Sequence, residues 1–310
     1  MTGSAIAVGV FDGLHRGHLQ ILERALARAR ARDDRCVVVS FDPHPDVVLS
    51  TPFQAVAPLM PHAERRRRLS ELGIEIYEVI PFTRELASLE PEDFVDRYLI
   101  HPFAMRNLVV GENFALGRGR AGNVERLRGI GKARNFEVEA VPLLVLDGAP
   151  VSSSRIRALL AEGRVKDAAV QLGRRYALQG LVVSGEGVGR QLGVPTANIR
   201  LHEEKLLPAD GVYAAWARID GDPTPHAAAL SIGTRPTFGE NARVIEAHLL
   251  DWSGELLERE LEVELVDWLR SQEAFDGPDA LVTAMQADLA AARQALQANP
   301  QITPEPAPNA

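Results

Sequence analysis

The pattern of strands and helices changes halfway along the chain, and this change restricts the possible folds more than any other feature of the sequence. In the first half, short apolar runs such as 5–11 and 36–41 alternate with segments of helical periodicity such as 19–29. This alternation predicts βαβ units and a parallel sheet covered on both faces. From residue 178 onward, short strands follow one another with turns between them, which predicts an antiparallel barrel or sandwich. We therefore expect an α/β, doubly wound domain followed by an all-β domain.

The same pattern divides the chain into three segments. We place the domain boundary between a short helix and the first barrel strand, so that the domains span residues 1–173 and 174–297. A helix predicted from about 278 to 296 carries one apolar stripe, which we expect to dock on the barrel. Residues 298–310 contain four prolines and almost no apolar mass, which predicts a disordered tail.

Composition restricts the location and the partners of the protein. Lys and Arg number 34 against 42 Asp and Glu, a net charge of −8, which disfavours a dedicated nucleic-acid binder. We therefore interpret the run of four arginines at 65–68 as the solvated face of a helix. No apolar run approaches the roughly 18 residues that span a bilayer, and no secretory signal is visible at the N-terminus. We expect a cytoplasmic monomer or homo-oligomer that binds neither nucleic acid nor membrane, with its one cysteine, Cys36, packed in a buried strand.

Residues 8–18 leave a strand, turn through glycines and open a helix. Such a junction directs free backbone N–H groups and the positive end of a helix to one point, which suits a phosphate. His15 and His18 share a helix face at this spacing and can donate hydrogen bonds to a phosphoryl group in transfer. A plain glycine turn with a capping histidine is the alternative, and a metal site is disfavoured because no third ligand is nearby. The pair of histidines favours a nucleotide site.

A second phosphate-binding candidate is the run Ser-Ser-Ser-Arg-Ile-Arg at 152–157. Ser153 and Ser154 can cap the amphipathic helix that follows, and Arg157 offers forked donors to a phosphate. Taken alone, a serine N-cap with solvated arginines explains the run equally well. The histidine pair upstream favours the phosphate-binding interpretation.

The second half contains a glycine loop, a Pro-Thr-Ala-Asn run and a glutamate on a predicted strand. The glycines within 185–193 allow close approach of a ligand, although a hairpin alone would explain them. Thr196 and Asn198 offer oxygen ligands that suit Mg²⁺. Residues 244–250 alternate between two faces, and Glu246 on the polar face can accept a proton from a hydroxyl that attacks a phosphate. Two solvated polar residues on an edge strand would be the alternative.

Together and in this order, the motifs resemble those of the bacterial bifunctional riboflavin kinase/FAD synthetase family. Phe-Asp-Gly followed by His-x-x-His at 11–18 is similar to the nucleotidylyltransferase signature, and 193–198 is similar to the riboflavin kinase motif Gly-x-Pro-Thr-Ala-Asn. The resemblance extends from residue 5 to about residue 289. It implies a Rossmann-like N-terminal domain that transfers AMP from ATP to FMN, giving FAD and pyrophosphate. It also implies a small β-barrel kinase domain with a C-terminal helix that phosphorylates riboflavin to FMN, and Mg²⁺ at each site.

The resemblance implies roles for individual residues. His15, His18 and Glu246 are the expected catalytic residues, with Glu246 as the base of the kinase. Arg270 and Phe275 are expected beside the flavin. The expected Mg²⁺ ligands are Thr196 and Asn198. The expected contacts with ATP are, in the adenylyltransferase domain, Gly9, Phe11, Gly13, Asn113, Ser153, Ser154 and Arg157 and, in the kinase domain, Gly187, Gly189, Arg190, Gly193, Pro195, Thr196 and Asn198.

The sequence also departs from the family pattern and leaves two other functions open. Leu116 replaces a usual phenylalanine and Val188 a frequent arginine, and neither change removes a catalytic group. One alternative is a kinase with an N-terminal domain that binds nucleotide poorly, which the intact His15 and His18 disfavour. The other is a non-catalytic flavin-binding regulator. Glu246 beside the Thr-x-Asn pair disfavours it, because binding alone needs no base.

Overall fold

The computed structural model of the 310-residue chain describes residues 3–50, 57–185, 187, 189, 192–222, 224–234 and 243–301. The chain divides into two compact units, with the division between Ser153 and Ser154. No helix within the described ranges is both long and apolar enough to cross a bilayer.

The first unit contains a five-stranded parallel sheet, two short ribbons and the helices that cover the sheet. Its strands are β1 (Ser4–Val8), β2 (Arg35–Asp42), β3 (Ile76–Pro81), β4 (Met105–Gly111), β5 (Ala115–Leu116), β6 (Gly122–Asn123), β7 (Glu137–Val141), β8 (Val145–Leu146) and β9 (Ala149–Pro150). Its helices are α1 (Arg16–Arg30), α2 (Pro45–Leu49), α3 (His62–Glu71), α4 (Arg84–Ala87), α5 (Pro91–Val95) with a π-helical continuation (Asp96–Ile100), α6 (His101–Phe103), a 3₁₀ turn (Arg118–Arg120) and α7 (Val124–Arg134).

The order of the strands creates a natural ligand site. The sheet runs β3-β2-β1-β4-β7, so the chain builds outward from β1 in one direction and from β4 in the other. Ligands of such sheets bind at the carboxyl ends of the strands, where the direction reverses. The doubly wound α/β prediction is confirmed, and the switch point lies between β1 and β4.

Strand β1 is buried on both faces, as a central parallel strand requires. Successive side chains alternate between faces. Ile6 and Val8 therefore pack in one apolar cluster, while Ala5 and Ala7 pack in another against Leu22 of α1.

The described residues of the second unit form a closed antiparallel barrel and three helices, which confirms the barrel prediction. Its strands are β10 (Ala177–Val183), β11 (Ala197–Leu201), β12 (Gly211–Ile219), β13 (His226–Thr234), β14 (Arg243–Leu249) and β15 (Glu260–Ser271). Its helices are α8 (Ser153–Ala161), which starts at the last residue of the first unit, α9 (Val165–Leu172) and α10 (Pro278–Ala298). The barrel order is β10-β11-β14-β13-β12-β15. Ala292 and Leu296 of α10 are buried in an apolar cluster with barrel residues, so the terminal helix docks as its stripe predicts.

The division between the two compact units, at Ser153, lies 20 residues before the predicted domain boundary at residue 173. Helices α8 and α9 group with the barrel because they are tied to it. Lys166 forms a 2.6 Å ion pair with Asp267, and the carbonyl of Leu160 accepts the N–H of Ala209 at 2.9 Å. Helical periodicity in the sequence does not reveal which partner a helix will cover, so the sequence alone places both helices in the α/β half. The boundary at 173 stays a prediction about independently folding domains.

Only four residues of the predicted disordered tail, 298–301, lie in the described part of the chain, and they are held in place. Ala298 ends α10. The carbonyl of Asn299 accepts hydrogen bonds from Trp216 Nε1 at 3.2 Å and from Arg175 Nη2 at 3.1 Å. Gln301 Oε1 accepts another from Arg175 Nη1 at 2.6 Å. These hydrogen bonds tie residues 299 and 301 to the barrel unit; disorder of the tail stays a prediction, and the rest of the tail lies outside the described residues.

Candidate active sites

The turn between β1 and α1 has an unusual backbone. Phe11 and Leu14 have φ angles of 52° and 41°, and Gly13 has 82°, all in the left-handed region that side chains disfavour. A Cβ on Gly9 would come within 3.2 Å of the Phe11 ring, so Gly9 lets that ring fold back. Helix α1 begins immediately after its N-cap, His15. The turn thus places a helix N-terminus at the carboxyl end of β1.

His15 and His18 stack on each other at this helix start. Their ring centroids are 3.5 Å apart and their planes are inclined by 15°. His15 Nδ1 accepts the backbone N–H of His18 at 3.2 Å. A nitrogen that accepts carries no proton, so a neutral His15 bears its proton on Nε2 and can donate from there. The Phe11 ring packs edge-on against His18 at 5.3 Å, which fixes the second ring.

A buried ion pair lies beneath this turn. The Asp12 carboxylate accepts the backbone N–H groups of Leu59 and Met60 at 3.0 and 3.1 Å and lies 3.3 Å from Arg65 Nη2, with both side chains only 3% exposed. The sequence-based assignment of Arg65 to a solvated helix face is therefore wrong. A signal was present, because Arg65 precedes the buried Leu69 by four residues and so shares its helix face.

Two more predicted residues lie near the carboxyl edge of the sheet. Asn113 follows β4, the neighbour of β1 at the switch point. The Ser153 hydroxyl donates to the Asp12 carbonyl at 2.9 Å, so Ser153 lies beside the β1–α1 turn. Ser154 and Arg157 follow on α8, in the second unit.

Two cavities in the barrel unit share one side chain. The larger has a volume of about 550 Å³, and the predicted residues in its lining are Gly187, Pro195, Thr196 and Asn198. The smaller has a volume of about 240 Å³, and the predicted residues in its lining are Gly189, Thr196, Glu246, Arg270 and Phe275. Because Thr196 lines both, a group bound in one cavity can meet a group bound in the other beside its hydroxyl.

Strand pairing brings the candidate base and the candidate metal ligands together. Asn198 lies opposite Glu246 in the β11–β14 pair, and Thr196 Oγ1 donates to Glu246 Oε1 at 3.3 Å. A Cβ at Gly185 would lie 2.1 Å from Asn198 Nδ2. Glycine at 185 is therefore what allows the amide of Asn198 to occupy its place.

The loop that leads into β11 is folded on itself. The Gly189 carbonyl accepts the N–H groups of residues 192 and 194 at 3.2 and 2.8 Å. Gly187 and Gly193 have φ angles of 70° and 79°, which favour glycine. The Pro195 carbonyl accepts a hydrogen bond from His248 Nδ1 at 2.7 Å. Arg190, which is predicted to contact ATP, and Val188, which departs from the family pattern, lie outside the described residues.

One wall of the smaller cavity is built by three side chains from β15, α10 and the segment between them. Arg270 donates to both oxygens of Asp288, at 2.7 and 2.8 Å, and this bidentate hydrogen bonding raises the pKa of Arg270. The Arg270 guanidinium lies over the Phe275 ring at 5.5 Å. Asp288 is only 9% exposed, and the sequence analysis does not include it among the candidate site residues. The available signal was a carboxylate directly before Leu289, inside the apolar stripe of α10.

Comparison with known proteins agrees with this geometry. The family model described as FAD synthetase matches residues 1–155, and the model described as riboflavin kinase matches residues 172–296. Proteins named bifunctional riboflavin kinase/FMN adenylyltransferase from Pseudomonas fluorescens and Listeria monocytogenes are 38% and 34% identical to the chain. These alignments cover 94% and 91% of this chain and 92% and 89% of the relatives.

The chain belongs to the bifunctional riboflavin kinase/FMN adenylyltransferase family. This confirms the resemblance that the sequence motifs indicated. Among solved structures, the chain is also similar to a Streptococcus pneumoniae protein described as a macrolide-efflux protein, with a TM-score of 0.86 and 30% identity over 94% of this chain and 95% of that one.

One departure from the family pattern has a structural explanation in this member of the family. Leu116 is 8% exposed and packs in an apolar core cluster of the first unit. A Cβ at Gly122 on the paired strand would lie 2.9 Å from Leu116 Cδ1, so the smaller neighbour makes room for the leucine. Leu116 therefore contributes to packing at the β5–β6 ribbon in this chain.

Proposed function

We propose that this member of the bifunctional family forms FMN at the two barrel cavities and FAD at the β1–α1 turn. The observation that carries the assignment is the meeting of Thr196, Asn198 and Glu246 where the two cavities share a wall. ATP would occupy the larger cavity and the flavin the smaller one. The reacting phosphate and hydroxyl would then meet beside Thr196.

In the kinase reaction, Glu246 acts as the general base. Its carboxylate takes the proton of the ribityl 5′-hydroxyl of riboflavin while that oxygen attacks the γ-phosphorus of ATP. The bond from the γ-phosphorus to its bridging oxygen breaks, and ADP leaves. Arg270 and Phe275 hold the flavin ring in the smaller cavity.

The donor set of the larger cavity fits Mg²⁺. The hydroxyl of Thr196 and the amide oxygen of Asn198 are hard oxygen ligands of the kind that this ion prefers. Thr196 donates a hydrogen bond to Glu246, so the lone pairs of its oxygen are available to a cation. When bound, the ion neutralises charge on the phosphates of ATP.

In the adenylylation reaction, a phosphate oxygen of FMN attacks the α-phosphorus of ATP. The bond from the α-phosphorus to its bridging oxygen breaks, and pyrophosphate leaves. His15 and His18 donate hydrogen bonds to the oxygens on which charge develops, and the N-terminus of α1 adds a positive field. We assign the remaining contacts with ATP in this unit to Gly9, Phe11, Gly13, Asn113 and Ser153, and the roles of Ser154 and Arg157 in the second unit stay predictions of the family resemblance.

Two incubations test the proposal. The purified protein is mixed with ATP and Mg²⁺ and either riboflavin or FMN, and the flavins are resolved by chromatography. FAD is expected in both, with FMN appearing first from riboflavin, and chelation of Mg²⁺ should stop both. FMN without FAD would contradict the adenylylation assignment, and no conversion would favour a flavin-binding regulator. A cytoplasmic location, the monomeric or homo-oligomeric state and the lack of nucleic-acid or membrane partners stay predictions.

A further inference from the structure

The backbone at the start of the adenylylation site is strained. Phe11 and Leu14 both have positive φ angles, and residues with side chains persist in such conformations only where their surroundings over-determine them. The stacked His15 and His18 follow this segment directly. Whatever holds the turn in place therefore also sets the position of both rings.

Arg65 is the side chain that holds the turn from below. Its Nη1 donates to the Val10 carbonyl at 2.9 Å, and its Nη2 donates to the Met60 carbonyl at 2.8 Å and to Asp12 Oδ1 at 3.3 Å. Ser40 Oγ donates to the same Val10 carbonyl at 3.0 Å. Hydrogen bonds therefore fix both Val10 and Asp12, the residues on either side of Phe11.

The hydrogen bonds of Arg65 to this turn depend on the shape of the guanidinium as well as on its charge. A guanidinium presents planar, fixed donors in several directions, whereas an ammonium is a compact point charge. Here the donors of Arg65 serve Val10 in one direction and Met60 with Asp12 in another. Lysine at 65 would keep the charge beside Asp12 but could not reproduce this geometry.

We infer that Arg65 is a positioning residue for FMN adenylylation, acting through the strained turn on His15 and His18. This inference rests on the proposed function of the first unit. Arg65 is buried, and its hydrogen bonds to the turn, among the described residues, go to Val10 and Asp12 rather than to the histidines. Its loss should therefore displace the rings, which lowers turnover, more than it weakens the binding of ATP. A displacement of about 1 Å at a reacting centre costs about 10²-fold in rate.

The test uses the full chain with Arg65→Lys and Arg65→Gln. The kcat and the KM for ATP are measured for FMN adenylylation, and riboflavin phosphorylation by the same protein reports on the second unit. We expect kcat for FAD formation to fall by about 10- to 100-fold, with the KM for ATP changed less than about threefold and kinase activity unchanged. Arg67→Gln alters an exposed residue of the same helix and should behave like the wild type.

The possible outcomes separate positioning from a merely structural role. Unchanged kcat in both Arg65 variants overturns the inference, and so does a loss of ATP binding and thermal stability in parallel with kcat. If both variants fail to fold, Ser40→Ala decides, since it removes one hydrogen bond to Val10 without leaving a buried charge. It should lower kcat severalfold at unchanged melting temperature, and an unchanged kcat overturns the inference. A wild-type chain that makes no FAD overturns the proposed function and the inference together.

Discussion

Thr196 Oγ1, one residue before β11, donates a hydrogen bond to Glu246 Oε1 of β14 across 3.3 Å, where the two barrel cavities meet. The contact fixes the orientation of both groups. The hydroxyl hydrogen points at the carboxylate, which leaves the lone pairs of the oxygen available to a cation, and Glu246 lines the smaller cavity. The candidate base and a candidate metal ligand are thus held in one arrangement before any substrate binds.

Glu246→Gln should abolish most FMN formation. The amide keeps the size of the side chain but cannot take the proton of the ribityl hydroxyl, so kcat for riboflavin phosphorylation should fall by about 10² to 10⁴. FAD formation from supplied FMN should be unchanged, which provides the control within the same sample. A fully active variant would show that Glu246 is not the base.

His18→Ala should have the opposite effect. Removing one donor to the developing charge should cut FAD formation from FMN by about 10² to 10³ and spare FMN formation from riboflavin. Both rates can be read from the two incubations described above. Equal loss of the two activities would contradict the assignment of separate sites.

The sequence revealed the parts of each site that depend on local spacing. A spacing of three positions from His15 to His18 places both side chains on one side of the helix start, and strand alternation places Glu246 on a polar face. It did not reveal Arg65 or Asp288, because their partners Asp12 and Arg270 lie on other elements of the chain. A buried charged residue whose partner is distant in the sequence cannot be distinguished, from its neighbouring residues alone, from a solvent-exposed one. For the same reason, periodicity predicts that α8 and α9 are helices but does not show that they pack with the barrel.

Gly185→Ala should impair the kinase through Asn198. The new Cβ would lie 2.1 Å from Asn198 Nδ2, so the amide must leave its place. We expect a higher Mg²⁺ requirement and a lower kcat/KM for riboflavin phosphorylation, measured by titration of Mg²⁺ at fixed ATP. Gly129→Ala is the matched control, because a Cβ at that helical glycine meets nothing within 4 Å. Equal behaviour of the two variants would refute the role of Gly185.

Asp288→Asn should weaken riboflavin binding. Without the carboxylate, Arg270 loses a bidentate, charge-assisted partner and its position over Phe275. We expect the KM for riboflavin to rise by about tenfold, in line with the loss of one charged hydrogen-bonding partner, with FMN adenylylation unchanged. Asp279→Asn, at an exposed position of the same helix, controls for the loss of charge. An unaltered KM for riboflavin would separate Asp288 from the flavin site.

The single cysteine should report on the strand that carries the adenylylation turn. Burial raises the pKa of Cys36 to about 12, and only the thiolate reacts with alkylating reagents. At pH 8 roughly one thiol in 10⁴ would be ionised, so the native protein should resist iodoacetamide while the denatured chain takes up one label.

Cys36 lies opposite Ala5 in the β1–β2 pair, so labelling requires these strands to separate. The labelling rate, followed by mass spectrometry, therefore measures the opening of the sheet beneath His15 and His18. Complete labelling of the native protein within minutes would show that β1 and β2 separate readily.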